Sequence, residues 1–358
     1  MENNMEKEVL LKVENLQQLF GKFRAVNGVS FEIYKGEVFG LVGESGCGKT
    51  TTGRTIIGLN EISGGSVYYK GERIAAGTLS YKEAIAKAKA DYKEGKITDE
   101  ELTNCVKENS DKIAAAKVDN KKWRRTNKSN QLLNEIQMIF QDPIASLDPR
   151  MTVRDIIAEG LIIRGEKDQA KIDRQVFDML EIVGLVPEHA TRYPHEFSGG
   201  QRQRIGIARA MVMEPELLIA DEPISALDVS IRAQVLNLLK GLQKSRNLTT
   251  IFIAHDLAVV KYFSNRIAVM YFGKIVELAT SDELFKHSFH PYTKALLSAI
   301  PLPDPITEKS RKRLTYNPML DHDYSVEGPT MREIYPGHFV YCNEEEMKKY
   351  QAEWEATK

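Results

Sequence analysis

The chain has 358 residues, with 49 Lys and Arg against 50 Asp and Glu for a formal charge of −1, and is 42% hydrophobic and 28% charged. Such a composition is that of a soluble chain able to bury a core, with room for one large α/β domain and something smaller, and it provides no global attraction to nucleic acid or anionic membrane. Cys47, Cys105 and Cys342 are far apart and odd in number, which fits neither a disulfide framework nor a zinc site and suits a reducing cytosol.

The first residues, MENNMEKEVL, lack the basic-then-apolar form of a signal peptide, and no uninterrupted apolar run reaches the roughly eighteen residues of a membrane span. The expectation is a chain that neither leaves the cytoplasm nor crosses a membrane. Residues 9–34 alternate polar and apolar in short pieces, as in Lys12-Val13-Glu14 and Val29-Ser30-Phe31-Glu32-Ile33, the period of antiparallel strands. An aromatic ring beside such a sheet can stack on a nucleobase. Phe20 is the first candidate and Phe23 the second, although the spacing suits a half-buried strand aromatic equally well.

The apolar run Val38-Phe39-Gly40-Leu41-Val42 then leads into Gly43-Glu44-Ser45-Gly46-Cys47-Gly48-Lys49-Thr50-Thr51, which fits the phosphate-binding pattern G-x-x-x-x-G-K-S/T. Glycines let the backbone turn tightly, so that successive N–H groups point at phosphate oxygens with no side chain in the way. Lys49 would place its ammonium on the β- and γ-phosphates and Thr50 would hold Mg²⁺ through its hydroxyl. Residues 51–59 would form a helix whose positive N-terminal end faces the anion.

Residues 64–71 read as a turn and a further strand of the antiparallel sheet. The composition then changes: residues 80–130 are rich in Lys, Ala and Glu and carry two capping-box patterns, Ser80 with Glu83 and Thr98 with Glu101. The reading is a helical hairpin turning at Gly95, with Tyr81, Ile85, Ala88 and Tyr92 as its inner stripe. The basic run Lys121-Lys122-Trp123-Arg124-Arg125 reads as a solvated face rather than a phosphate or lipid contact. A short strand over 135–140 delivers Gln141 to the edge that holds the phosphate loop, where it would sense the metal or the attacking water, unless it is a plain strand-terminal glutamine. Two amphipathic helices follow, over 151–165 and 168–183.

Phe197-Ser198-Gly199-Gly200-Gln201 opens a helix over 201–213 with a small-residue cap, a second cluster of backbone N–H groups at a helix N-terminus. One chain thus has two anion-binding ends, and the second lacks a ligand unless a nucleotide is shared between two subunits. Leu217-Leu218-Ile219-Ala220 reads as a strand buried on both faces and ends in Asp221 and Glu222. Asp221 would join the Mg²⁺ shell and Glu222 would polarise the attacking water; the bland alternative is an acidic pair capping a helix. Ser225-Ala226-Leu227-Asp228 comes next, then a helix through Val235, Leu236 and Leu239. A buried strand over 249–254 ends in His255, placed to reach the γ-phosphate.

On these motifs, in this order, residues 9–284 resemble the nucleotide-binding subunit of an ABC transporter, apart from the hairpin, which is additional to the usual cassette. The resemblance implies a P-loop α/β core with an antiparallel β subdomain, a helical signature subdomain and a C-terminal extension. It divides the chain at 1–286 and 287–358, with the insertion near 80–130. It assigns the phosphate loop to residues 43–51, the Q-loop to Gln141, the signature to 197–201, where leucine is commoner than Phe197, the Walker B acids to Asp221 and Glu222, the D-loop to 225–228 and the switch to His255. The catalytic set it implies is Glu222, His255 and Gln141, and the metal set Thr50, Gln141 and Asp221. ATP would meet Phe20 and residues 43–51, and in trans Ser198, Gly199, Gly200, Gln201 and Asp228.

The segment His290-Pro291-Tyr292-Thr293-Lys294-Ala295-Leu296-Leu297-Ser298-Ala299-Ile300-Pro301 is similar to the element that follows the cassette in oligopeptide and dipeptide importers, and the chain to their F-type ATPase. That resemblance implies ATP hydrolysis on the cytoplasmic face of the membrane. The implied partners are a related second ATPase, two integral membrane subunits and, indirectly, an extracellular peptide-binding protein, with no nucleic acid. Some relatives carry a cysteine cluster for an iron–sulfur centre in the tail; with Cys342 alone there, none is expected. Import of nickel or sugars, a soluble nucleic-acid-directed ATPase and a non-hydrolysing regulatory subunit are the competing readings.

Overall fold

Strands Val9–Phe20 (β1) and Phe23–Tyr34 (β2) form an antiparallel hairpin turning at Gly21, where φ is +60°. With Gly64–Tyr69 (β4) and Glu72–Ala76 (β5) they make a four-stranded sheet of order β2-β1-β4-β5. The second sheet contains Val38–Val42 (β3), Ile136–Ile139 (β6), Leu217–Asp221 (β7), Thr249–Ala254 (β8), Arg266–Tyr271 (β9) and Lys274–Thr280 (β10). Thr330–Tyr335 (β11) and His338–Cys342 (β12) extend it, giving the order β11-β12-β10-β9-β3-β8-β7-β6. The computed structural model describes residues 8–125, 134–300 and 313–357.

The run β9-β3-β8-β7-β6 is parallel, and β3, β7 and β8 are buried at every position because layers cover both faces. Alternation separates the layers. Phe39 and Leu41 of β3 face the antiparallel sheet, with Phe39 stacked on Phe31 at 4.9 Å, while Val38 and Val42 face the helices. Those helices include Val153–Ile163 (α4), Gln169–Ile182 (α5), Gly199–Met211 (α6), Val229–Arg246 (α7) and Leu257–Phe263 (α8). The helix after the phosphate loop is Lys49–Ile56 (α1), starting two residues before and ending three before the expected range.

The hairpin is present as Leu79–Lys93 (α2) and Asp99–Arg125 (α3), turning at Gly95 with φ +72°. The Thr98–Glu101 box forms: the Thr98 N–H donates to Glu101 Oε2 at 2.7 Å and the Glu101 N–H to Thr98 Oγ1 at 3.2 Å. Ser80 is not a cap. Backbone bonds from Thr78 and Leu79 to the Ser63 carbonyl, at 2.9 and 2.8 Å, start α2 earlier, and Glu83 pairs instead with Arg24 of β2. Ala88 is buried and Tyr81 and Ile85 partly so, but Tyr92 is 42% exposed: it lies near the tip, away from the sheet that covers the hairpin's base. At that base Asn120 accepts from the Ala76 N–H at 3.0 Å and donates to the Ala76 carbonyl at 2.7 Å, while Arg73 pairs with Asp119. The expected hairpin end at 130 and the side chains of the basic run beyond Lys121 fall outside the described residues.

After Ser281–Lys286 (α9), Pro291–Ser298 (α10) leads to Pro318–Asp321 (α11), then β11, β12 and Glu344–Glu355 (α12). Strand β12 pairs with β10 through Glu277↔Val340 and Leu278↔Phe339, so the tail continues the central sheet. Phe289, Ile334, Val340, Cys342 and Tyr350 form its own small core.

Candidate functional site: a nucleotide-binding loop and its carboxylates

The loop between β3 and α1 is shaped by glycines in conformations that L side chains rarely adopt. Gly43 has φ +150°, and a Cβ there would sit 2.1 Å from the Met270 carbonyl oxygen; Gly48 has φ +108°, and a Cβ would sit 2.4 Å from the Ala25 carbonyl. Strand β2 and the β9–β10 turn thus press against the loop, and the Gly273 N–H donates to the Cys47 carbonyl at 2.9 Å. Lys49, 4% exposed, donates to the carbonyls of Gly43 and Glu44 at 2.7 and 2.8 Å. Thr50 Oγ1 donates to Asp221 Oδ1 at 2.8 Å. Asp221 is fully buried, its Oδ2 has no hydrogen-bond partner, and burial pushes its carboxyl above the usual range against the pull of the Thr50 hydroxyl.

Glu222 follows with φ +43°, a strained conformation held by its N–H donating to the Ile253 carbonyl at 3.0 Å. Its side chain meets two of the sequence candidates. Gln141 Nε2 donates to Glu222 Oε2 at 3.0 Å, and His255 Nδ1 lies 3.3 Å from the same oxygen. The ends of β6, β7 and β8 therefore bring Gln141, Glu222 and His255 to one point. Parallel strands place their C-terminal residues on one edge, the same edge from which the phosphate loop leaves β3.

The other candidates are elsewhere. Phe20 is 49% exposed at the β1–β2 tip, as is Phe23 at 64%. Ser198 caps α6 and accepts from the Gln201 N–H at 3.4 Å, while the Gln201 side chain accepts from the Ser198 N–H at 3.0 Å, so Gln201 closes a capping box. Phe197 is buried edge-on against His189, and a Cβ on Gly200 would sit 2.5 Å from Ile231 of α7. Asp228, the N-cap of α7, is exposed beside this ledge. Two residues that the motifs did not single out also belong to the site. Arg232 donates to the carbonyls of Leu227 and Ser225 at 2.6 and 3.3 Å, tying down residues 225–228; its place one helical turn after Asp228 was the available signal. Tyr292 accepts from the Glu44 N–H at 3.1 Å, and no spacing in the sequence announces that contact.

A phosphate loop, a buried metal-type carboxylate paired with the loop threonine, and an acid–glutamine–histidine group at one sheet edge define a P-loop ATPase with a helical signature arm. The family profile described as "ABC transporter" matches residues 26–116 and 99–225, and that described as "Oligopeptide/dipeptide transporter, C-terminal region" matches 276–324. The chain belongs to the ABC transporter ATP-binding subunits. It is 51% identical over 348 residues, covering 96% of this chain and 99% of its relative, to the oligopeptide transport ATP-binding protein OppF of Bacillus subtilis (strain 168). It is 46% identical to the dipeptide transport ATP-binding protein DppF of Lactococcus lactis subsp. cremoris (strain MG1363), covering 96% and 97%. Among solved structures it is similar in fold to cbiO1 from Clostridium perfringens, with TM-score 0.57 and 23% identity over 78% of this chain and 92% of the other. A dimeric post-hydrolysis ATP-binding cassette bound to ADP and phosphate, MJ0796, aligns with TM-score 0.56 and 24% identity over 76% and 99%.

Proposed function

We propose that the chain is the ATP-binding and hydrolysing subunit that energises import of oligopeptides or dipeptides, docked on the cytoplasmic face of a membrane permease. The observation that carries this reading is the convergence of Gln141 and His255 on Glu222 beside the Thr50–Asp221 pair. It occurs in a chain similar along nearly its whole length to peptide-transport ATP-binding proteins. Among the described residues no helix is long and apolar enough to cross a membrane.

The residues fit Mg²⁺ and a triphosphate: Asp221 Oδ2 is buried without a partner, and Gly43 and Gly48 hold a tight backbone turn against Met270 and Ala25 that leaves no space for a Cβ. Thr50, Asp221 and Gln141 would hold Mg²⁺, which when bound would neutralise charge on the phosphates. Lys49 moves from the loop carbonyls to the β- and γ-phosphates, and Phe20 stacks on adenine. Glu222 orients the attacking water and takes its proton as the γ-phosphorus–oxygen bond to ADP breaks, with His255 facing the γ-phosphate.

Ser198, Gly199, Gly200, Gln201 and Asp228 complete the phosphate loop of a second, related ATPase subunit, so that hydrolysis requires closure of a heterodimer. Two membrane subunits contact the surface around Gln141 and helices α4 and α5, where Ile144, Ile162 and Ile163 are exposed. An extracellular peptide-binding protein supplies the cargo. In this reading the nucleotide-binding domain spans 1–286 and the importer-type extension 287–358.

The test is uptake of a labelled oligopeptide in cells whose only copy carries Glu222→Gln, beside wild type and a deletion. Gln141 can still donate to the new amide carbonyl, so the fold and ATP binding persist while turnover falls by roughly 10²- to 10⁴-fold. Uptake at the deletion level supports the reading. Uptake unchanged in both strains refutes the peptide assignment.

A further inference from the structure

The tail is joined to the phosphate loop by a continuous set of buried contacts. Glu277 of β10, fully buried, accepts from the backbone N–H groups of Phe289 and His290 at 2.8 and 3.1 Å, and its Oε1 lies 2.7 Å from Nε2 of His338 in β12. His338 Nδ1 is 2.9 Å from the Tyr335 hydroxyl, which donates to Glu283 at 2.8 Å. The carboxylate that anchors β12 to the cassette therefore also fixes the residues immediately before α10. His290 then caps α10, its Nδ1 accepting from the Tyr292 N–H at 3.1 Å.

The Tyr292 ring is held on several sides. It is 2% exposed, with Tyr271 at 4.5 Å and Tyr316 at 5.5 Å between ring centroids. A side chain so confined has little rotamer freedom, and its hydroxyl is delivered to one place, the Glu44 N–H. Glu44 is also one of the two residues whose carbonyls seat the Lys49 ammonium. The peptide unit before Glu44 is thus engaged by both the tail and the loop lysine, and the unit after it by the lysine. Burial pushes the Tyr292 phenol upward, so it remains a neutral acceptor.

We propose that Tyr292 is a positioning residue for the phosphate loop, through which the C-terminal extension sets the loop's affinity for nucleotide. The hydroxyl acts through the backbone of Glu44 and touches no reacting atom. The inference rests on the reading of this loop as the ATP site.

The test is ATP binding to the full-length chain by titration calorimetry, together with amide hydrogen exchange over residues 40–50, for wild type, Tyr292→Phe and Tyr316→Phe. Tyr292→Phe keeps the ring and its packing and removes one acceptor. The expected result is ATP affinity weakened roughly 2- to 12-fold and faster exchange confined to the loop, with the nucleotide-free unfolding midpoint within about 2 °C of wild type. Tyr316→Phe, which keeps the same aromatic cluster, changes neither. A folded Tyr292→Phe with wild-type affinity and exchange overturns the proposal, as does an equal loss in Tyr316→Phe. Should Tyr292→Phe not fold, Glu277→Gln decides: it loosens residues 289–290 and must move both readouts the same way, and no change overturns the proposal. A wild-type chain that does not bind ATP sinks the ATP reading itself, which separates the two failures.

Discussion

Replacing Asp221 by Asn should stabilise the free protein and disable the enzyme. The carboxylate is fully buried, has one hydrogen-bond donor, the Thr50 hydroxyl, and keeps Oδ2 without a partner. A buried acceptor without its bond costs about 1–3 kcal/mol, and more when charged. Asn has the same shape and keeps the Thr50 bond, but carries no charge; its amide still lacks a partner, so only part of that penalty is recovered. The expected gain is about 1–2 kcal/mol without nucleotide or metal, or roughly 1–3 °C in unfolding midpoint. The same change removes the anionic metal ligand, and turnover should fall at least about 100-fold, equivalent to ~2.7 kcal/mol of transition-state stabilisation. Differential scanning fluorimetry in chelator, and phosphate release from the assembled complex with Mg²⁺, read the two effects separately. A lowered midpoint in chelator, or turnover within tenfold of wild type, would refute the reasoning that this carboxylate is held strained for a metal.

His290 gives the chain an acid-sensitive joint: desolvation, then the neighbouring His322, push its pKa down to about 3. The folded chain binds this proton more weakly than the unfolded chain, whose ordinary value is about 6.5, so the stability present above that value is lost as pH falls toward 3. From pH 7.5 to 5.5 the loss is about 1.4 kcal/mol, and His290→Asn, which can still cap α10, should show a shallower pH dependence in denaturant titrations; an identical slope counts against the assignment. Asn120→Ala leaves both backbone groups of Ala76 without their bonds, at about 1–3 kcal/mol each, and should speed hydrogen exchange through α2 and α3 while leaving ATP affinity unchanged. Unaltered exchange there would mean that the hairpin is held elsewhere.

Much of the site is legible because its chemistry is local. The loop at 43–51, the acids at 221 and 222 and the cap at 198–201 are runs of adjacent residues whose conformations follow from glycine freedom, strand burial and capping, so each is readable alone. Helix limits were less so: α2 begins at Leu79 rather than at a Ser80 cap because the backbone of Ser63, distant in sequence, accepts its first N–H groups. Tyr92 matched the helical period of the inner stripe yet is exposed, since periodicity marks a face and not how far a partner covers it.

By itself, then, the sequence determined that a phosphate loop, a pair of acids, a glutamine and a histidine stand at strand ends, and that the tail is of an importer type. Only the tertiary structure decided that Gln141, Glu222 and His255 meet at one carboxylate oxygen, that Asp221 is buried with an unmet lone pair, and that a tyrosine 248 positions away holds the loop's backbone. The physical reason is that a parallel sheet fixes neighbours through crossovers, and hydrogen bonds between residues remote in the chain leave no period to read.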